Sequence, residues 1–373
     1  MPYGTVNADS IVDSNGSVFS PSSSLFKNRL INGAMSISQG AAGATITPAV
    51  TSAYATNYPV DRFQVIIGAA SKLTTAQSSV APAGFNFSTL ITSSSAYTVG
   101  SGEVFVIRQN IEGFNTADLA WGTASAASVT LSFWVRSSLT GTFGGSVQNS
   151  ASNRSYPFTY SIASANTWEQ KTVTIAGDTS GTWIGATNGI GLRLNFGLGV
   201  GSTYSGTAGS WAGSDYDSAT GATSVVGTSG ATFYITGIQL EKGSTATSFD
   251  YRNYQAELAM CQRYYYKEQS TSTVHLFGEA AYATSGTAGF AQGHYPVTMR
   301  AAPTALEQSG TATQYTMQTG GTDRVCSAVP AFGIATTNSW RISSTVASGQ
   351  SAGLSGMLYG NSTSAYLAWS AEL

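Results

Sequence analysis

Charged side chains are scarce in this sequence. Asp, Glu, Lys and Arg together supply 9% of the chain, against roughly 25% in an ordinary soluble protein. With a formal net charge of -2 and no cluster of Lys and Arg, the chain lacks the basic footprint that phosphate backbones require, which excludes a nucleic-acid partner. Long apolar runs are missing too. Stretches such as residues 63–70 fall far short of the roughly 20 residues that cross a bilayer, so no membrane insertion is expected. The N-terminus has no basic start leading into an apolar run and does not read as a secretory signal.

Groups that do chemistry are equally few. Cys261 and Cys326 have neither CxxC nor metal-ligand spacing. Their separation leaves pairing open, and reduced thiols of a protein made in a reducing cytoplasm are the default expectation. The two histidines, His275 and His294, sit in no string such as GxSxG or HExxH and are expected to be structural or surface residues. The acids Glu103, Glu112, Asp118, Asp178, Asp215, Asp217, Glu241 and Glu279 fall on different expected elements. Glycan cleavage would need only two carboxylates facing one bond across roughly 5 to 10 Å, so it stays open as a lesser alternative. Asp215-Tyr216-Asp217 resembles the start of a calcium loop but lacks the acid series and closing Glu. No catalytic residue, metal or cofactor is expected.

What fills the sequence instead is Gly, Ser, Thr and Ala, together with 19 Tyr, 16 Phe and 7 Trp. Disordered chains lack such rings, so this one folds. Small residues permit tight turns, and Thr, Val, Tyr and Phe suit a pleated, half-buried surface. An all-β fold of many short strands follows. A length of 373 residues exceeds what one core usually takes, so two principal domains are expected.

Residues 1–30 carry only isolated apolar beads, Val6, Ile11, Val12, Val18 and Phe19, between turn signals. They read as an extended arm that either adds to a neighbour's sheet or frays. Sandwich strands are expected at residues 61–67, 104–109, 129–136, 168–175, 191–198 and 232–241, each alternating or apolar and bounded by Gly and Ser. Their spacing without intervening helices points to two packed antiparallel sheets, a jelly-roll-like β-sandwich over residues 31–249. The long Gly/Ser/Thr-rich stretch 199–230 is either functional or disordered, and its aromatics favour the first. Helical spacing of Tyr254, Leu258, Cys261 and Tyr265 predicts a short linking helix over 251–265 with Asp250 as N-cap. Residues 250–373 then comprise this helix and a second, smaller β domain, with strands at 274–280 and 365–373.

Several strings stand together in a recognisable order. Leu30-Ile31-Asn32-Gly33-Ala34-Met35 is followed by Gln109-Asn110-Ile111-Glu112-Gly113, then Leu131-Ser132-Phe133-Trp134-Val135, then Gln239-Leu240-Glu241-Lys242-Gly243 and Ala246-Thr247-Ser248-Phe249. Together with Cys261-Gln262-Arg263-Tyr264-Tyr265-Tyr266 and the final Ala371-Glu372-Leu373, they resemble bacteriophage tail-fibre and appendage proteins with a carbohydrate-binding-module-like jelly roll, over roughly residues 30–373. The resemblance implies a structural virion protein, assembled in the host cytoplasm. It would form a homotrimer, join other virion proteins through its N-terminal arm and attach to host surface glycans. A capsid or collar decoration protein without receptor binding is the alternative, and a polysaccharide-degrading tail spike a further one. Few surface charges would let copies lie against one another. Sugars stack on exposed rings, and Trp121, Trp211 and Tyr216 are the glycan-binding candidates because they stand beside Gly, Ser and Asp in expected loops. Core or inter-subunit packing is the competing role for all three.

Overall fold

The computed structural model describes residues 11–12, 18–19, 27–50 and 57–373. They form two compact units, residues 1–257 with Leu373 and residues 258–372. In the first, β1 (Ile11–Val12) and β2 (Val18–Phe19) pair antiparallel. Otherwise the expected arm lies outside the described residues as far as residue 26.

Two five-stranded antiparallel sheets make the body of this unit. In chain order the strands are β3 (Gln64–Ile66), β4 (Leu73–Ser78), β5 (Ser88–Ser93), β6 (Val104–Glu112), β7 (Val129–Ser137), β8 (Gly141–Gln148), β9 (Ser155–Ile162), β10 (Glu169–Ile175) and β11 (Ile190–Val200). A short parallel pair follows, β12 (Ser205–Gly206) with β13 (Ser218–Ala219), and then β14 (Thr232–Lys242). One sheet has the order β10-β7-β14-β5-β4 and the other β3-β6-β11-β8-β9. Neighbours in space are mostly not neighbours in sequence, so the chain passes repeatedly from sheet to sheet in the manner of a jelly roll.

Period-two alternation decides which side chains meet between the sheets. Leu131, Phe133 and Val135 on β7 and Leu192, Leu194, Phe196 and Leu198 on β11 all point inward and are buried. Phe133 meets Phe196 at 5.0 Å between ring centres, and Phe143 meets Phe233 at 5.9 Å. Burial of each such ring stabilises by about 1.5–3 kcal/mol.

Within the first unit, the strings at 30–35, 109–113 and 239–243 lie together. Gln109 accepts from the Ile31 N–H and donates to the Ile31 carbonyl, at 2.9 and 2.8 Å. Ile238 N donates to the Gly33 carbonyl, and a Cβ on Gly33 would stand 2.1 Å from the Ile238 oxygen, so only glycine fits. Asn28 accepts from Leu240 N at 3.0 Å and donates to the Ile238 carbonyl at 2.9 Å. The chain entering the domain is thereby fastened to the last strand and to β6.

In the sandwich, β4, β5, β8 and β9 escaped the sequence reading. β4 and β5 are rich in Ser and Thr, a composition shared with loops. The glycines of β8 look like a turn, yet a Cβ on Gly145 would stand 2.3 Å from the Asn195 carbonyl and 2.5 Å from Phe158 Cζ. They are there because a ring and a backbone pass close by. The helix α1 (Tyr254–Gln262) starts later than expected. Asn253, not Asp250, caps it, accepting from Ala256 N at 2.8 Å, while Asp250 accepts from Asn28 N at 3.2 Å. Of the four residues spaced for one face, Tyr254 is 59% exposed, Cys261 is buried and Tyr265 lies beyond the helix in the next strand.

The second unit continues with β15 (Tyr265–Gln269), β16 (His275–Ala283), β17 (Ala288–His294), β18 (Glu307–Gln308), β19 (Tyr315–Thr319), β20 (Thr322–Ala335), β21 (Ser339–Val346), β22 (Ser355–Gly360) and β23 (Tyr366–Ser370). Six of these close a barrel in the order β16-β17-β21-β20-β19-β22, and β15-β23-β18 form a small sheet. Trp369 is fully buried in this unit's core, stacked on Trp340 at 4.7 Å and on Tyr266 at 5.9 Å. Cys261 and Cys326 are buried thiols, and burial pushes Cys326 up to about 11. The fold is all-β, a jelly-roll-like sandwich followed by a short helix and a smaller β domain.

Candidate functional site

Two of the three ring residues singled out from the sequence come together. Trp121 and Trp211 meet edge to face at 5.3 Å, and Trp183 touches both, at 4.7 and 5.5 Å. Trp121 is 8% exposed. Every indole N–H of the trio is spent on the protein itself: Trp121 on the Ala127 carbonyl, Trp211 on Ala176 and Trp183 on Ser180, at 2.7, 2.8 and 3.1 Å. Arg154 braces the group, forking onto Asp178 at 2.7 and 2.6 Å with its guanidinium 5.9 Å from the Trp211 ring centre. The hollow beside Trp121 and Trp183 holds about 50 Å³, enough for water-sized guests. Tyr216 lies elsewhere, its ring covering Gly206, where a Cβ would come within 2.2 Å of the ring.

Tyr216 belongs to the long stretch after β11, which is ordered and packs over the outer face of the sheet β3-β6-β11-β8-β9. That face carries two polar rows in strand register: Gln64, Arg108, Asn195 and Ser146 in one, Asn110, Arg193 and Gln148 in the next. Arg108 donates to Asn195 and to Asp217, each at 2.6 Å, and Gln148 donates to Asp215 at 2.8 Å. Burial raises the Asp217 pKa, against the lowering pull of Arg108. Asp215 and Asp217 are thus brought together here by hydrogen bonds to a sheet. The other scattered acids take separate partners: Asp118 pairs with Arg29, Glu103 with Tyr97, Glu241 with Thr247 and Glu279 with His294. Among the described residues no group of three or more His, Cys, Asp or Glu is arranged to hold a metal ion.

The opposite sheet presents rings to solvent. On β7, Phe133 and Val135 face the core, so Trp134 and Arg136 face outward. Arg136 stands opposite Tyr234 of β14, its guanidinium 5.1 Å from that ring, and Trp168 meets Tyr234 at 6.1 Å. Trp134, Trp168 and Tyr234 are all half-buried. At Gly237 the backbone has φ +60 and a Cβ would stand 3.0 Å from Trp134 and 2.7 Å from Phe85, so glycine makes room for both rings. Phe85 continues the surface, meeting Phe249 at 5.0 Å and Tyr251 at 5.5 Å, and Tyr251 is 62% exposed. Gln170, paired with Trp134 across the ladder, adds an exposed amide. The result is a ring-lined platform with few charges. It can stack the apolar faces of a ligand and hydrogen-bond its hydroxyls through Gln170 and Arg136. The alternation of VTLSFWVR contained the signal, a Trp on the face opposite Phe133, which a choice of candidates from expected loops passed over.

No family model and no curated protein matches the sequence. Similar solved structures include the enzymatically active domain of tailspike protein 4 of bacteriophage CBA120, 12% identical with a TM-score of 0.32 over 59% of this chain and 22% of that one. This chain therefore spans about a fifth of that tailspike chain. A CBM4 structure is 12% identical with a TM-score of 0.28 over 56% of this chain and 100% of the other. A family 11 carbohydrate-binding module from Clostridium thermocellum is 8% identical with a TM-score of 0.27 over 54% and 97% respectively.

Proposed function

We propose that the protein is a non-enzymatic structural component of a phage particle, a tail-fibre or similar appendage protein that recognises glycans on the host surface. The observation that carries the glycan reading is the platform of Trp134, Trp168 and Tyr234 around Arg136, with Phe85, Phe249 and Tyr251 beside it. Covering about 100 Å² of one ring contributes at most a few kcal/mol at about 25 cal/mol per Å². A single site is then of millimolar order, and display on linked copies raises effective affinity by roughly 10² to 10⁴. The low charge of the chain, 9%, supports self-association, for which a homotrimer is the expected form, and the arm over residues 1–30 would join it to other virion proteins.

A glycan array probed with the purified oligomer tests this reading. Binding to a subset of glycans, abolished by Trp134→Ala combined with Trp168→Ala and Tyr234→Ala, is the expected result. Uniform lack of binding under multivalent display would refute it and leave a decoration protein. Product release from capsule or lipopolysaccharide would refute the non-enzymatic part.

A further inference from the structure

The barrel of the second unit has an open groove of about 360 Å³, lined by Glu279, Gln292, His294, Thr336, Ser339, Trp340 and Arg341 among others. Its volume lies in the range of small-molecule sites, and the mouths of β-barrels are a recurrent place for them. The strand ladder builds it. Gly293 pairs with Trp340, Gln292 with Arg341 and His294 with Ser339, while Ala335 of β20 flanks Trp340 on its other side.

Three observations mark the groove as built to receive something. The first is its floor: Trp340 is 3% exposed, and a Cβ on Gly278 or Gly293 would stand 2.6 or 2.7 Å from its ring, so two glycines make room for the indole. The second is that Gln292 presents an exposed amide in the lining, in register with Arg341 on the next strand. The third is the rim, where His294 Nδ1 and Glu279 Oε1 are 2.9 Å apart, the Arg341 guanidinium lies 4.6 Å over Phe290, and Arg341 Nε is without a partner. Donors and acceptors therefore alternate around an aromatic floor. Glu279 inside the lining disfavours an anion, and Arg341 with the amide of Gln292 disfavours a plain hydrocarbon.

We infer that this groove is a second binding site, separate from the platform on the sandwich, and that it takes one neutral hexose unit of a saccharide. Hydroxyl groups, each both donor and acceptor, would engage Arg341, Gln292 and the His294–Glu279 pair.

The test is saturation-transfer NMR on the intact chain with methyl glucoside, methyl galactoside, methyl mannoside and N-acetylglucosamine, each to about 20 mM because single sugar sites are of millimolar order. Transfer to at least one probe is expected. Affinity should fall about tenfold in Gln292→Ala, which removes an exposed amide from the lining. His294→Ala, at a side chain 64% exposed and harmless to folding, should weaken it similarly. The triple platform variant should retain it, so that failure of the platform reading and failure of this one are told apart. No transfer from any of the four probes, or transfer unchanged in both groove variants, overturns the inference.

Discussion

Replacing Glu268 by Gln is expected to stabilise the second unit at pH 8 and to leave it nearly unchanged at pH 4. Glu268 sits on β15 with its side chain 18% exposed and His275 Nε2 at 3.7 Å. Burial pushes its pKa from 4.5 up to about 7, although the Gly278 N–H pulls the other way. The folded value lies above the unfolded one, so the folded state holds its proton longer. Below pH 4.5 both states are protonated and the group is neutral in its effect. As pH rises from 4.5 to 7 the unfolded state ionises first, and stability falls; above pH 7 the full deficit is present. A displacement from 4.5 to about 7 corresponds to about 3 kcal/mol. For a domain of this size that is roughly 10 °C in melting temperature. His275 acts in the opposite direction, since burial lowers its pKa and its cost appears as pH falls. Comparing variant with parent separates the two. Calorimetry of the intact chain at pH 4 and pH 8 should show the transition of the parent's second unit dropping by about that amount more than the variant's. Equal pH dependence in both would refute the reasoning.

Arg108→Met strands Asp217, which is 5% exposed, and should cost about 3–5 kcal/mol in urea unfolding. Adding Asp217→Asn to it should recover much of that loss, and no recovery would show that the pair is not the cause. Gly145→Ala drives a Cβ into the Asn195 carbonyl and the Phe158 ring and should lower stability by about 1–3 kcal/mol or more. Gly213→Ala, which meets nothing within 4 Å, should stay within about 0.5 kcal/mol of the parent when urea midpoints are compared.

The sandwich was legible because its core strands obey a period of two: Leu131, Phe133 and Val135 are inward in β7 just as their spacing says. β8 was not legible, since glycine there answers to Asn195 and Phe158, and a neighbour brought close by folding leaves no local mark. The same limit applies to the sites. Trp121 and Trp211 were singled out from their surroundings, whereas Trp183, which touches both, stands between Thr182 and Ile184 in a similar Gly-rich setting and was passed over. Arg108 and Asp217 are 109 residues apart in sequence, and nothing in either neighbourhood announces the other. The groove depends on Gly278 and Gly293 lying beside one indole, a relation that only the closed ladder of the barrel creates.

That closure bears on how copies of the chain can join. A ladder whose last strand bonds to its first has no end strand, and the exception within it is residues 326–335 of β20, which pair with β21 on one side alone. In the second unit only the short β15 and β18 end a sheet, whereas the sandwich ends at β4, β10, β3 and β9. A strand donated by a neighbouring subunit therefore has to be received by the sandwich, by that small sheet or by the half-paired stretch of β20, and elsewhere a contact through the barrel wall is one of side chains.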